Sequence, residues 1–152
     1  MTMMAIMTTI FHGRDVFAPV AGHLAIGVGI KNFGPALNES ELVQASYDEA
    51  KIIDKKIFCR VIHINHFGSL HLNITHAAWD SLKLREGDTV IMTSKRFSPV
   101  HLPVGKIFSD VLPNLPLILK DDYGRIEIAV NLGSFVDAHP LSVGEDITLE
   151  LA

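Results

Sequence analysis

Three side chains with acid–base chemistry lie close together near the start of the chain. His12, Arg14 and Asp15 fall within residues 10–27, which read IFHGRDVFAPVAGHLAIG. An imidazole exchanges a proton near neutral pH, and a neighbouring carboxylate or guanidinium orients it or stabilises charge. Because this polar cluster interrupts an apolar run just before a helical pattern, it predicts a catalytic corner between a strand and a helix.

The elements that would position this corner are a short strand and a helix. Residues 5–11 are apolar and predict the strand. Gly13 permits a sharp turn, and Asp15 is a suitable N-cap because its carboxylate can accept a backbone N–H of the first turn. Pro19 is tolerated in that turn, and Gly27 predicts the helix end. The apolar stripe of this helix consists of Val16, Val20 and Leu24.

The rest of the chain changes from a linker to short strands. Residues 28–46 contain Gly, Asn and Pro without periodicity and predict the linker. Further on, β-rich runs alternate with turn residues, with hairpin turns expected around Phe67 and Tyr123 and a short helix over residues 75–82. Strands are predicted over residues 51–53, 57–64, 70–75, 89–94, 100–108, 117–120, 125–131 and 147–151. This pattern predicts a mainly β domain, a small antiparallel barrel or sandwich, over residues 47–152.

Composition narrows the possible partners and locations. A chain of 152 residues can bury one good core, and its net charge of −4 gives no electrostatic reason to expect nucleic acid or an anionic membrane. The single cysteine, Cys59, excludes an internal disulfide and is expected in the core. We expect no signal peptide and no membrane span, and we predict a cytoplasmic protein.

Eight histidines raise the question of a metal site. His63, His66, His71 and His76 are close in sequence, and His63 and His71 are expected to face each other across a hairpin. No carboxylate or cysteine joins them at the spacing of a ligand set. We therefore expect neither a metal ion nor a cofactor.

Four ordered motifs resemble one enzyme family. Residues 11–25 are similar to its segment FHGRD-x-FAP-x-A-x-HLA, and the stretch INHFGSLHLNI to its strand pair ID-x-FGN-x-x-TNI. Residues 119–134 resemble its hairpin NS-x-G-x-LEIAVN-x-G-S, and the SVGEDITLE tail resembles its VGD-x-V close. The family is that of the S-adenosyl-L-methionine hydroxide adenosyltransferases, relatives of the fluorinase and chlorinase enzymes.

The resemblance implies a domain organisation and a reaction. Residues 1–27 would be the last strand and helix of a large N-terminal α/β domain that is otherwise absent, and residues 47–152 would be the complete C-terminal barrel. In the family, hydroxide attacks C5′ of S-adenosyl-L-methionine and releases adenosine and methionine. The active site forms between subunits of a trimer, so a homotrimer is expected, with a separate chain for the absent domain as a further possible partner.

The resemblance also assigns roles to individual residues. His12 would be the catalytic histidine, whereas the Asp and Arg that work with it would belong to the absent domain. Arg14 and Asp15 would form a structural pair that shapes the turn. Asp122 would meet the methionine ammonium, and Ser69 stands where the family has Asn. The substrate-binding residues would be Phe11, Phe67, Ser69, Phe108, Asp122, Tyr123, Val130 and Leu132.

Three functions fit these features. The chain is one half of a split enzyme, a non-catalytic module for nucleoside binding or oligomerisation, or a truncated fragment without a function of its own. Ser69, Asn65 and Asp122 depart from the family pattern and favour the second and third, whereas the intact cluster at residues 12–15 favours the first. In every case we expect the isolated chain to cleave S-adenosyl-L-methionine poorly.

Overall fold

The computed structural model describes residues 11–43 and 47–152, which fall into two units, Met1–Ala45 and Ser46–Ala152. The strand predicted over residues 5–11 lies outside the described residues except for Phe11, and the end of the predicted linker lies outside them as well.

The helix of the first unit begins earlier than predicted. A π-helical segment, Gly13–Phe17, leads into α1, Ala18–Ala25, with Pro19 in the first turn of α1. His12 already has helical backbone angles, and the Asp15 N–H donates to the Phe11 carbonyl at 2.9 Å. The prediction of Asp15 as N-cap and of Gly13 as a turn before the helix is therefore wrong, because both residues lie inside the helical segment.

The end of α1 is where the sequence predicts it. Gly27 has a φ of 87°, which a glycine adopts without steric cost. The Gly27 N–H donates to the Leu24 carbonyl and the Val28 N–H to the His23 carbonyl, each at 3.0 Å. These two bonds form a Schellman motif, which satisfies the last carbonyls of the helix. Beyond it, the described part of the unit contains only two 3₁₀ turns, Ile30–Asn32 and Glu39–Glu41.

The second unit is an antiparallel sheet that curls into a barrel. Its eight strands are β1 (Lys51–Ile53), β2 (Lys56–Ile64), β3 (Leu70–Thr75), β4 (Thr89–Thr93), β5 (Val100–Pro103), β6 (Pro116–Lys120), β7 (Arg125–Val130) and β8 (Asp146–Leu151). Seven of them run in the order β5-β4-β8-β2-β3-β7-β6, and β1 pairs with β2 outside that path.

The two ends of this path nearly meet. Val104, directly after β5, forms a bridge with Ile118 of β6, and the Gly105 N–H donates to the Ile118 carbonyl at 2.9 Å. The sheet is therefore almost closed, which protects its edges from pairing with other chains. The predicted fold class, a mainly β antiparallel barrel, is confirmed.

The inside of the barrel is the hydrophobic core. On β2 the buried residues alternate as Ile57, Cys59 and Val61, and a bulge after Val61 leaves His63 exposed. Burial raises the pKa of the Cys59 thiol, so this side chain is a neutral core residue. Other fully buried core side chains are Leu70, Leu72, Ile74, Val90, Met92, Leu102, Ile126, Ile128 and Leu149.

Two short helices close the core. The predicted helix is α2, His76–Ser81, which brings Trp79 into the core and is capped by the Thr75 hydroxyl. A second helix that the sequence did not predict is α3, Phe135–Ala138, with Phe135 fully buried. Within the described residues, no helix has the length and apolar character needed to cross a bilayer.

Candidate functional site

The turn between β2 and β3 exposes an aromatic ring. Asn65 Oδ1 accepts hydrogen bonds from the backbone N–H groups of Phe67 (3.0 Å) and Ser69 (3.1 Å), which fixes the turn. Phe67 is 74% exposed, whereas Ser69 is buried. Gly68 has a φ of 80°, and a side chain there would collide with Ser134. The turn therefore requires glycine at this position and presents Phe67 to solvent.

The turn between β6 and β7 is built on a similar plan. Asp121 Oδ1 accepts hydrogen bonds from the backbone N–H groups of Tyr123 (2.8 Å) and Arg125 (2.7 Å). Asp121 is buried, its neighbour Asp122 is exposed, and Tyr123 is 85% exposed. The buried carboxylate of Asp121 thus holds this turn, and the side chains of the next two residues, Asp122 and Tyr123, are exposed to solvent.

His71 links the two turns. Its Nδ1 lies 2.7 Å from Asp121 Oδ2, and its Nε2 lies 3.4 Å from Asn65 Nδ2. β3 begins directly after the first turn, whereas Arg125, after the second turn, pairs with Thr75 at the other end of β3. The first turn therefore lies at the start of β3 and the second turn lies near its end. A side chain from each turn contacts the buried imidazole of His71.

The carboxyl of Asp121 is held in its charged form. Burial by itself would raise its pKa, but the hydrogen bonds from His71 and from the Arg125 and Tyr123 N–H groups outweigh burial, and its pKa lies below the ordinary value. His76 adds a second imidazole, with Nε2 at 4.0 Å from Asp121 Oδ1 and 3.0 Å from the Arg125 carbonyl.

The corner after β7 lies beside the first turn. The Gly133 N–H donates to the Val130 carbonyl at 3.2 Å, and Leu132 adopts a left-handed φ of 53° with 82% of its surface exposed. This backbone conformation is costly for a leucine, and such residues cluster at binding sites. The Val136 N–H donates to the Gly68 carbonyl at 3.2 Å. The structure therefore brings the predicted residues Phe67, Ser69, Val130 and Leu132 to one end of the barrel.

Phe108 lies in a loop that packs on the same corner. The prediction of a strand over residues 100–108 holds only for β5, because Phe108 belongs to a 3₁₀ turn, Phe108–Asp110. Asp110 Oδ2 accepts the N–H groups of Lys106 and Ile107 and stabilises that turn. Asn131 Nδ2 donates to the Val111 carbonyl at 2.8 Å, which ties the loop to the corner.

The predicted catalytic segment lies in the first unit. His12 is exposed at the start of the helical segment. Arg14 donates two hydrogen bonds to Asp15, at 2.6 and 2.9 Å, and its guanidinium lies 4.7 Å from the centre of the Phe11 ring. The roles of Phe11 in substrate binding, of His12 in catalysis and of Arg14 and Asp15 in shaping the turn stay predictions.

A cleft elsewhere on the barrel contains none of the predicted substrate-binding residues. It has a volume of about 530 Å³ and lies against β2, β4 and β8. Arg60 and Asp146 in its lining form an exposed ion pair at 2.8 Å. Exposed paired charges of this kind give no reason to expect a specific ligand. Within residues 11–43 and 47–152, no group of three His, Cys, Asp or Glu side chains is placed to hold a metal ion.

No role was predicted from the sequence for three residues of this site, which are His71, Asp121 and Asn65. The structure confirms that His63 and His71 face each other across the hairpin, with ring centroids 5.3 Å apart. A signal was present, since a histidine in the strand LHLNI must find a hydrogen-bond partner if it is buried. Its partner is 50 residues away and could not be named from spacing.

Comparison with known proteins identifies the family. The model of the SAM hydroxide adenosyltransferase C-terminal domain matches residues 59–148. The chain therefore belongs to the family of SAM hydroxide adenosyltransferases, and the matched region is their C-terminal domain. The family predicted from the four motifs is confirmed.

Two curated relatives and one solved structure extend over nearly the whole chain. The (R)-S-adenosyl-L-methionine hydrolase of Salinispora arenicola is 30% identical over 143 residues, covering 93% of this chain and 51% of the relative. The enzyme of the same name from Salinispora tropica is 32% identical over 135 residues, covering 89% and 48%. An uncharacterized conserved protein from Thermotoga maritima matches with a TM-score of 0.66 and 30% identity, covering 94% and 53%. The chain spans about half the length of the curated relatives it matches.

Proposed function

We propose that this protein forms the adenosyl- and methionine-binding C-terminal part of an enzyme that hydrolyses S-adenosyl-L-methionine to adenosine and methionine. The observation that carries the proposal is the pair of turns that His71 contacts. In a chain of this family, these turns present the exposed rings of Phe67 and Tyr123 on the barrel. Water is the proposed nucleophile because the relatives at 30% and 32% identity are named hydrolases.

The substrate would lie against the exposed side chains of these turns. Phe67 offers an aromatic face to the purine, and aromatic rings contribute substantially to binding a flat base. Backbone groups of residues 130–132 would meet the polar edge of adenine. Asp122, exposed in the second turn, would attract the ammonium of the methionine part, with Tyr123 beside it. Ser69 is buried, so its proposed contribution is through the shape of the turn.

The proposed reaction is a displacement at C5′. A hydroxide forms the new C–O bond, the bond between C5′ and the sulfonium breaks, and the electron pair goes to sulfur to give neutral methionine thioether. Because an anion and a cation neutralise each other, exclusion of water favours the reaction once both are positioned. His12 would accept the proton of the attacking water. Its place beside a π-helical segment supports this role, since such segments often occur at functional sites.

Turnover is proposed to require an assembly. The family orients its water with an Asp and an Arg from the N-terminal domain, and the chain spans about half the length of its relatives. A histidine without those partners does not hold water in line with C5′, and misplacement alone removes about a hundredfold of rate. We propose that this chain forms a homotrimer and that its active site is complete only where an N-terminal domain of the family, on a separate chain, adds that Asp and Arg.

The test is to incubate the full chain with S-adenosyl-L-methionine and measure adenosine and methionine by chromatography. We expect slow release by the chain alone and enzyme-like release when a chain carrying the family's N-terminal domain is added. His12→Ala should then lower the rate by about a hundredfold or more. His23→Ala, in the same helical segment, is the matched control and should retain the rate.

Two outcomes would contradict the proposal. If neither the chain nor the mixture releases adenosine, and neither binds it, the protein is not part of such an enzyme. If the chain alone turns over at an enzyme-like rate that His12→Ala abolishes, the proposed need for assembly is wrong.

A further inference from the structure

Glu127 is a buried acidic residue on the outer face of the barrel sheet. Its neighbours on β7, Ile126 and Ile128, belong to the core, so the alternation of a strand places Glu127 on the opposite face. Only 7% of its surface is exposed. In the strand register it lies opposite Leu119 of β6 on one side and opposite His71 of β3 on the other. Glu127 therefore lies beside the imidazole that contacts both binding turns.

No basic side chain of this chain balances the Glu127 carboxylate. Within residues 11–43 and 47–152, which contain every Lys, Arg and His of the chain, the carboxylate makes no hydrogen bond and no ion pair. Every side-chain oxygen in those residues that is cut off from solvent has a hydrogen-bond partner, so the oxygens of Glu127 reach the surface. Burying a carboxylate without a partner is unfavourable, and the apolar Leu119 beside it offers no compensation. Glu127 is therefore available to a cationic group of a ligand.

The second turn adds further groups that attract a cation. Asp121 Oδ2 lies 2.7 Å from His71 Nδ1, so Asp121 and Glu127 are both neighbours of this imidazole. Asp122 is exposed and forms no ion pair in the described part of the chain. The ring of Tyr123 lies 6.5 Å from the His71 ring and is 85% exposed, and the face of an aromatic ring attracts cations.

The same turns offer no free cation to an anionic group. The first turn, residues 65–69, contains neither Lys nor Arg. The cations of the hairpin of β6 and β7 are Lys120 and Arg125, and each already faces a carboxylate. Lys120 Nζ lies 2.6 Å from Asp80, and Arg125 donates to Glu49 at 3.0 Å. A carboxylate of a ligand would therefore find no partner of opposite charge at these turns.

We propose that Glu127 is a substrate-binding residue that pairs with an ammonium group on the tail of the ligand, so that this part of the site selects adenosyl sulfonium compounds with an amine on that tail and does not recognise a tail carboxylate. This role depends on the proposed function, because the turns must bind an adenosyl compound for Glu127 to meet its tail. S-adenosyl-L-methionine fits such a site through its ammonium. The analogue in which hydrogen replaces the carboxylate fits it at least as well.

The experiment is calorimetry on the full chain with adenosine and three adenosyl sulfonium compounds. The dimethylsulfonium compound has no tail amine, the carboxylate-free analogue has the amine alone, and S-adenosyl-L-methionine has both groups. The carboxylate-free analogue should bind about tenfold to a hundredfold more tightly than the dimethylsulfonium compound, as expected for one hydrogen bond between charged groups. S-adenosyl-L-methionine should bind no more tightly than the carboxylate-free analogue.

Two variants separate ligand binding from structural support. Glu127→Gln keeps the shape of the side chain and removes its charge, so it should lose the gain from the amine and retain the affinity for adenosine. It should also be no less stable than the wild type in urea, because the carboxylate that it removes has no partner. Glu150→Gln is the matched control, since Glu150 is a strand residue of β8 that lies 3.5 Å from Lys56, and it should bind all four compounds as the wild type does.

The outcomes distinguish this role from the proposed function. Equal binding of the dimethylsulfonium compound and the carboxylate-free analogue would overturn the role of Glu127 while adenosine binding upholds the proposed function. Tighter binding of S-adenosyl-L-methionine than of the analogue, by tenfold or more, would overturn the selectivity. A Glu127→Gln variant that keeps the gain from the amine, or that loses stability and adenosine affinity together, would also contradict the role. If the wild type binds none of the four compounds, the proposed function fails and the selectivity fails with it.

Discussion

The two units of this protein differ in how deeply their apolar side chains are buried. In the barrel, side chains such as Leu72, Ile128 and Phe135 are fully buried in one core. In the described part of the first unit, no residue of α1 is buried, and Leu24 and Ile26 are exposed. Both regions are rich in apolar residues, so composition does not distinguish them.

Because of this difference, the two regions are expected to be stabilised in different ways. The barrel buries its own apolar surface and closes its own edges, so its stability is expected to be intrinsic. The apolar stripe of the first helix is only partly buried, with Val16 and Val20 half-buried and Leu24 exposed, and such surfaces mark contacts with other protein. The barrel thus provides a rigid base for the binding turns, whereas the segment that contains His12 is proposed to depend on assembly.

The largest expected effect comes from opening a cavity in the barrel core. Phe135→Ala should lower the free energy of unfolding by about 3–5 kcal/mol, because a fully buried ring is removed from α3. Phe17→Ala, in the first unit, removes an exposed ring and should change the free energy of unfolding by less than about 0.5 kcal/mol. Urea unfolding of the full chain, followed by circular dichroism, measures both. Equal losses would contradict the contrast between the units.

A smaller effect is expected from adding a methyl group to glycines in the two units. Gly68→Ala should cost about 1–3 kcal/mol, because φ is 80° and the new side chain meets Ser134. Gly13→Ala should not destabilise the chain, since Gly13 is in a helical segment with open space around it and alanine favours helix. Gly124→Ala, with a φ of 83° and no close neighbour, isolates the backbone cost. The same unfolding assay applies, and a Gly68→Ala variant no less stable than Gly124→Ala would contradict the close packing on Ser134.

The pH dependence of stability should report the buried carboxylate of the barrel. Asp121 has a pKa lower in the folded chain than its ordinary value, so it stabilises the fold above that value and loses this contribution as pH falls through the folded pKa. Asp121→Ala should therefore cost about 1–3 kcal/mol near pH 7. The difference from wild type should begin to shrink below about pH 4 and should disappear once the pH has fallen below the folded pKa. The exposed neighbour variant Asp122→Ala should match the wild type throughout, and a pH-independent cost for Asp121→Ala would contradict this role.

The smallest effect on the barrel is expected from changing the helix stripe. Leu24→Asp should leave the unfolding midpoint of the barrel unchanged, because Leu24 belongs to the first unit and is partly exposed. It should, however, reduce the self-association that we predict for the full chain. Light scattering at micromolar concentration measures the mass. A wild-type chain that is a monomer at every concentration would contradict the predicted homotrimer.

Local patterns were sufficient to predict much of the barrel. β3 and the turn at Phe67 follow from the alternation of apolar runs with turn residues, and the helix expected over residues 75–82 is α2. The start of the first helix was missed because the backbone is already helical at His12, and no capping side chain signals a π-helical segment. α3 has only four residues and offers no periodicity to detect.

The exposed residues of the candidate site could be predicted from the sequence, whereas the buried side chains that support them could not. Phe67, Tyr123 and Leu132 belong to turns that the motifs identify directly. The bond between His71 and Asp121 depends on how far the second turn folds over the sheet and on the bulges of β2 and β3. Such a contact is set by tertiary structure, so no local spacing in the sequence could predict it.

The most direct test of this account is the binding of adenosine by calorimetry in two phenylalanine variants of the full chain. Phe67 and Phe58 are both exposed rings of the barrel, but only Phe67 lies in a proposed binding turn. We predict that Phe67→Ala weakens adenosine binding by about tenfold, the loss of about 1.4 kcal/mol expected for one ring stacked on a base, and that Phe58→Ala binds as the wild type does. Equal affinities in the two variants, or no binding by the wild type, would contradict the claim that these turns form an adenosyl site.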